Sequence, residues 1–433
     1  MDRSRASVLI VAAKWWSLSA RLAVALDRHG CNVGAVCPAG HPLTHVSTIR
    51  HVYPYRGLLS LSSVQRALKE FRPDIVIPGD DGVVAQLHAL HELDPSLQSL
   101  IERSLGPPES YPVVESRYRF LSAALELGIR VPRTQRVENA EDLMRWHADI
   151  EASAVLKVDG ESGGNGVRIS HSLDESLAAW RALRTPRSFA TAWKRLVIDR
   201  DPLALWLQQR QSAREVTVQK FIPGRPANSM LVCWRGELLS IASVVVVAAD
   251  GPTGAASIVR VIQNDQMKKA AELVVSRLKL SGLYGLDFII ESGTGVPYLI
   301  EMNPRCTQLG HIEFADHGCL AGVLSAVLRG KPRPQVQNPV PDNTIALFPQ
   351  ALAAGDACRP HLEASYHDVP WEEPQLMREL ILKSWPQRQW CARLYHAFKP
   401  IARLDPIVFE DLDSAAVDRS LGVMDRRPRR FAT

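Results

Sequence analysis

Two short stretches of this sequence carry side chains whose types and spacing could hold a divalent cation. Asp287 lies in Gly285-Leu-Asp-Phe-Ile-Ile, and Glu301, Asn303 and Arg305 lie in Leu299-Ile-Glu-Met-Asn-Pro-Arg. Side chains alternate between the two faces of a strand, so positions 301 and 303 share a face. Residues 285–290 and 298–302 read as strands around the turn 291–297, and if they pair, Asp287 comes beside Glu301 and Asn303. Two carboxylates and an amide oxygen form a hard-oxygen site of the kind Mg²⁺ prefers, its shell completed by water and a substrate phosphate. The competing reading is the exposed polar face of a hairpin. Against it, the acids are set in Leu-Asp-Phe-Ile-Ile and Tyr-Leu-Ile-Glu, where a carboxylate without a cation would be costly.

A second stretch is Lys157-Val-Asp-Gly160-Glu-Ser-Gly163-Gly164-Asn-Gly166. Glycines let backbone N–H groups approach phosphate oxygens, and a lysine at a strand end adds positive charge. Taken alone, such a cluster is more often a plain hairpin turn. It is not a Walker A loop, because no Gly-Lys-Ser/Thr opens a helix. The third stretch is Val218-Gln219-Lys220-Phe221-Ile222-Pro223-Gly224, a strand running into a turn. Ending in an exposed edge, it could offer backbone N–H and C=O groups to an adenine ring, with Lys220 turned to phosphate.

The surrounding pattern indicates what must position these groups. Apolar runs at 7–13, 32–37 and 74–78 alternate with helical spacing around Leu22, Ala25 and Leu26 and over 64–71 and 83–90, which predicts a small parallel α/β domain over residues 1–105. It lacks G-x-G-x-x-G after its first strand and so carries no dinucleotide fingerprint. After Gly106-Pro107-Pro108, residues 117–127 read as a helix closed by Gly128. Residues 154–158 and 167–170 flank the glycine turn as strands. A polar, helical stretch spans 173–214, then strands are expected at 216–222, 229–234 and 238–247, and an amphipathic helix at 265–278. Prolines at 332–334 and 339–341 mark a second boundary, which sets a central domain at 106–335 and a C-terminal extension at 336–433 without a readable motif.

In that order, these elements resemble the ATP-grasp superfamily, particularly its carboxylate–amine ligases and biotin-carboxylase-like members. The resemblance covers about Ser116 to Leu309 and rests on the set as a whole: helix then Gly-x-x-Val-Pro, lysine with glycine loop, Gln-Lys-Phe-Ile-Pro-Gly, and Asp…Glu-Met-Asn-Pro-Arg. It implies an N-terminal parallel α/β domain followed by an ATP-grasp fold and a C-terminal extension. It further implies that Lys157 contacts the α/β phosphates and that Gly163, Gly164 and Gly166 belong to a lid over the triphosphate. Gln219, Lys220 and Ile222 fall where the family binds adenine. Asp287 and Glu301 would bridge two Mg²⁺, or Mn²⁺, ions, with Asn303 on the second, and Arg305 would stabilise the moving phosphoryl group.

Two positions depart from the pattern. Ser116-Arg117 stands where the family often has Asp-Lys, so Arg117 would meet phosphate as a planar fork rather than a point charge. Arg225-Pro226-Ala227-Asn228 offers no acid for the ribose, and the long stretch at 193–210 reads as an insertion near the substrate. The implied activity is an ATP-dependent ligation: an acyl phosphate forms on a small carboxylate, an amine attacks it, and ADP and phosphate leave. A kinase stopping at phosphoryl transfer and a nucleotide-binding module without turnover are the alternatives.

The totals exclude other classes. The 433 residues are 46% hydrophobic and 22% charged, an ordinary globular mix with no apolar run of membrane-spanning length. Residues 241–249 read as one buried strand. Seven scattered cysteines give no zinc or disulfide pattern, and residues 8–13 are too short for a signal-peptide core, so the expected location is cytoplasmic. With a net charge of +5 and basic residues crowded only at 426–430, neither a nucleic-acid nor a membrane partner is expected, and a homodimer is left open. Cys306 reads as a buried thiol rather than a nucleophile. His88 and His91 have metal spacing but no third ligand, while His311, Glu313 and Trp15-Trp16 could meet substrate or simply pack.

Overall fold

The computed structural model describes residues 5–160, 166–185, 189–203, 206, 215–251, 253–316, 318–336, 339–341, 343–399 and 405–409. The first strand, Ala6–Val11 (β1), is apolar on both faces because both faces are covered. Val8 and Ile10 pack with Leu22 and Leu26 of the helix Ser17–Arg28. Leu9 and Val11 pack instead with Val64 and Leu68 of Ser60–Phe71 and Leu87 of Asp81–Leu93. Strand β1 pairs in parallel with Cys31–Cys37 (β2) and Ile75–Pro78 (β4), and His51–Pro54 (β3) extends the sheet beyond β2. Asp80 ties this domain together at the carboxyl ends of its strands. It caps Asp81–Leu93 by accepting from Val83 N at 3.1 Å, and it accepts from Ala13 N at 2.7 Å and Lys14 N at 3.2 Å. The loop bearing Trp15-Trp16 is thereby held beside Asp81.

The second sheet is antiparallel, in the order β5 (Thr134–Arg136), β8 (Val216–Lys220), β6 (Ala154–Val158), β7 (Val167–Ser170). Leu143 and Trp146 of Ala140–Asp149 and Trp180 of Leu173–Arg184 cover one of its faces. Its other face looks toward the site.

The third sheet runs β13 (Pro297–Asn303), β12 (Gly282–Glu291), β9 (Gly224–Trp234), β10 (Glu237–Ala249), β11 (Ala256–Ile262), β16 (Thr344–Leu347), β17 (Tyr366–Asp368), with β18 (Ile407–Val408) pairing with β10. A separate pair, β14 (Glu313–Phe314) and β15 (Gly318–Cys319), follows β13 in the chain. Alternate residues of the long strands serve two cores. Leu231, Leu286 and Tyr284 bury against Asp265–Leu278 and Arg117–Glu126. Met230, Val232 and Leu283 join Leu22 and Leu26, so the N-terminal domain shares a core with this sheet. The architecture is the one anticipated: a parallel α/β domain, an ATP-grasp-like pair of sheets that is antiparallel except where β16 meets β17, and a C-terminal extension. Strands β16, β17 and β18 were not anticipated, and they place parts of the extension inside the large sheet.

Candidate active site

Between the second and third sheets lies a cavity of about 400 Å³. On its floor β12 and β13 form an antiparallel ladder in which Asp287 stands directly opposite Glu301 and Gly285 opposite Asn303. Asp287 is also directly opposite Asn228 of β9. Its two oxygens accept from Asn228 Nδ2 at 2.6 Å and Asn303 Nδ2 at 2.8 Å. Burial first, and the neighbouring Glu301 carboxylate second, push the Asp287 pKa up, while the two amide donors pull the other way. Thr307 holds Asn228 in place through Oγ1–H to Oδ1 at 3.1 Å.

Three cations converge on these acids. Lys157, on β6, is 5% exposed. Burial, reinforced by the adjacent Arg117 charge, lowers its pKa to about 8 against the pull of Glu301, Asp287 and Asp159. Arg117 opens its helix behind the cap Ser116, whose Oγ accepts from Arg119 N at 3.3 Å. Its guanidinium forks between Asp159 Oδ1 at 3.1 Å and Glu301 Oε1 at 2.6 Å. Burial works against that charge, but Glu301 and Asp159 outweigh it and hold the pKa above its ordinary value. Burial raises Asp159 to about 6 despite Arg117. Arg305 donates from Nε to Asp81 Oδ1 at 2.9 Å and from Nη2 to Asn303 Oδ1 at 3.4 Å, linking the floor to the N-terminal domain.

The donor set suits a hard cation. Among the described residues no group of three or more His, Cys, Asp and Glu is placed to hold a metal. Two carboxylates and an amide oxygen are what the floor provides, and Mg²⁺ completes such a partial set with water and phosphate. Asn303 Oδ1 and Glu301 Oε1 are engaged by arginines here, so an incoming cation would displace Arg305 and Arg117 from those oxygens.

The remaining anticipated residues divide. Gly166 ends the turn just before β7, its carbonyl accepting from Val158 N at 3.0 Å, whereas Gly163 and Gly164 lie outside the described residues. Gln219, Lys220 and Ile222 all line the cavity. Their strand is not an edge, however. Strand β8 is flanked by β5 and β6, and the backbone N–H groups of Lys220 and Phe221 donate to Arg133 O and Ser153 O, each at 2.9 Å. The Gln219 side chain donates to Thr134 Oγ1 at 3.1 Å. The N–H groups of Lys220 and Phe221 are therefore engaged within the sheet and not free to meet a base.

Cys306 is buried and its thiol is pushed up to about 12, mainly by burial, so it is no nucleophile at neutral pH. His88 and His91 each pair with a different acid, Glu115 at 2.6 Å and Glu102 at 2.8 Å, and do not converge. His311 bonds Asp368 at 2.8 Å and does not line the cavity, whereas Trp16 does. Sequence reasoning missed Asn228 because the strand expected at 229–234 begins earlier, at Gly224. The signal was a lone amide between Ala227 and Met230 in an apolar strand. Asp81 was also missed, although Asp-Asp-Gly at a helix start marks a cap.

Residues 203–308 match the family model of the ATP-grasp domain. The same fold is found in solved structures of low identity. The ADP complex of an N5-carboxyaminoimidazole ribonucleotide synthetase is 17% identical, with a TM-score of 0.55 over 77% of this chain and 80% of that one. The ATP complex of carboxyaminoimidazole ribonucleotide synthase from Aspergillus clavatus is 13% identical, with a TM-score of 0.57 over 77% and 80%. The biotin carboxylase domain of Hydrogenobacter thermophilus 2-oxoglutarate carboxylase, in complex with MgADP, ADP and bicarbonate, is 12% identical, with a TM-score of 0.55 over 76% and 71%. The chain thus shares the fold of these structures, and its residues 203–308 are similar to the ATP-grasp domain. Among its described residues no helix is long and apolar enough to cross a membrane.

Proposed function

We propose that the protein is an ATP-dependent, ADP-forming carboxylate–amine ligase. The observation that carries this reading is the direct opposition of Asp287 and Glu301 on a cavity floor shared with Asn303, Arg117, Lys157 and Arg305. Lys157 and Arg117 would bind the phosphates, and the cavity wall at Ile222 and Phe221 would take the base. Asp287, Glu301 and Asn303 would hold Mg²⁺, which when bound neutralises phosphate charge. A substrate carboxylate oxygen attacks the γ-phosphorus while the bridging oxygen leaves with ADP. The resulting acyl phosphate is attacked at carbon by an amine, which loses a proton as phosphate departs. Arg305, bonded to Asp81, would stabilise the phosphoryl group in transit, and the rate gain would come from positioning and electrostatics.

The test is phosphate release from Mg-ATP stimulated by pooled carboxylates, with hydroxylamine added to intercept the acyl phosphate as a hydroxamate. A hydroxamate together with ADP and phosphate is expected. A stable phosphorylated product without free phosphate would make the protein a kinase, and pyrophosphate would overturn the mechanism.

A further inference from the structure

The face of the large sheet that bears the acids continues past them and changes character. Reading across the ladders, Glu301 stands opposite Asp287, Asp287 opposite Asn228, and Asn228 opposite Val244 of β10. Directly opposite residues share a face. Val246, two positions on, keeps that face and stands opposite Val259 of β11. Val244, Val246 and Val259 all line the cavity, joined by Leu347 at the end of β16. The N-terminal domain supplies Trp16 and Leu18 to the lining, and Phe409, which clusters with Val246, also contributes. Among the described lining residues, β10, β11 and β16 provide no charged side chain. The Asp81–Arg305 pair and the acids of the floor line the rest of the cavity.

Beside this wall the lining side chains Thr307 and Gln308 already donate to Asn228 Oδ1 at 3.1 Å and Ala256 O at 3.4 Å. A polar substrate body would have to leave water for strands that offer it only apolar side chains, whereas an apolar one gains about fourfold in affinity for each methylene buried. Arg21, His311 and Asp368 lie behind Leu18, Gln308 and Leu347, around an adjoining void of about 10 Å³ with room for about one water and no ligand. We infer that the carboxylate this site activates has an apolar body, seated against Val244, Val246, Val259 and Leu347 with its carboxyl group turned to Arg305. This rests on the ligase reading above and narrows its substrate to aliphatic or aromatic acids, against dicarboxylates and other polar acids.

The experiment is a calorimetric titration of the full chain, held with Mg²⁺ and ADP, using butyrate, hexanoate, 3-phenylpropionate and succinate. Hexanoate should bind roughly fifteenfold tighter than butyrate, as its two extra methylenes require, and 3-phenylpropionate should exceed succinate by at least as much. Val244→Thr and Val246→Thr preserve shape while adding a hydroxyl, and each should lower the hexanoate-to-succinate affinity ratio severalfold. Succinate binding as tightly as hexanoate, or no carboxylate binding at millimolar concentration, overturns the inference. The titration requires no turnover. An acid that binds by chain length but yields no phosphate or hydroxamate would sink the ligase reading alone, and phosphate release stimulated only by polar acids would sink this inference alone.

Discussion

Lys157 sits where its charge is disfavoured until an anion arrives. With its pKa held near 8 by burial, a fraction of the lysine is neutral at mildly alkaline pH, and a triphosphate beside it would favour the protonated form. The sign follows: nucleotide binding takes up a proton, most strongly at and just above pH 8, and the uptake fades as pH falls well below 8, where the lysine is already charged. Calorimetry of ATP binding in two buffers of different ionisation enthalpy should show that uptake at pH 8.5 and its loss in Lys157→Met, a variant that should also bind ATP more weakly. Glu301 is the second test at this scale. Glu301→Gln removes a carboxylate that faces Asp287 and holds Arg117, so Mg-dependent turnover should fall by at least ~100-fold while circular dichroism is retained. These groups were legible because a carboxylate or lysine inside an apolar strand needs a reason to be there. The fork of Arg117 onto Asp159 and Glu301 was not, since it joins residues 42 and 184 positions apart.

Elements were readable where period and length both spoke. The parallel strands β1, β2 and β4, the strands around the glycine turn, the β12–β13 hairpin and the helix Asp265–Leu278 all have sustained apolar patterns. Strand β3 is four residues at a sheet edge, largely exposed, and its sequence His-Val-Tyr-Pro has no period to read. Strands β16, β17 and β18 are two to four residues each and owe their state to partners far away in the chain. The inner position of β8 was equally hidden, because the sequence of a strand does not say how many neighbours it has. One close approach between elements gives a sharp expectation. Gly224 begins β9 opposite Glu291, and a Cβ there would lie 2.2 Å from the carbonyl oxygen of Ile290, a backbone atom that cannot step aside. Gly224→Ala should therefore force β9 and β12 apart and destabilise the fold by roughly 1–3 kcal/mol, seen as a lowered unfolding midpoint. An unchanged midpoint would mean the two strands adjust freely at the cavity wall.

At the scale of the whole molecule, one buried carboxylate joins three parts of the chain. Asp368, on β17 of the C-terminal extension, accepts from Arg21 of the first helix and bonds His311 Nε2, which follows β13 in the chain. All three side chains are at most about a tenth exposed, and Arg21 Nη1 and His311 Nδ1 have no further partner among the described residues. With so little other pairing, the Arg21 charge depends on Asp368. Asp368→Leu would strand a guanidinium between the N-terminal domain and the large sheet, and breaking a buried pair in this way costs roughly 3–5 kcal/mol. Replacing both partners is a different perturbation, because Arg21→Met with Asp368→Leu leaves no buried charge and fills the gap with apolar volume. The double variant should accordingly recover more than half of the loss in denaturant unfolding, a non-additivity expected only of groups in contact. If the single and double variants unfold at the same midpoint, Arg21 reaches water once its partner is gone, and the three parts are held together by the shared apolar core around Leu22, Met230 and Leu347 instead.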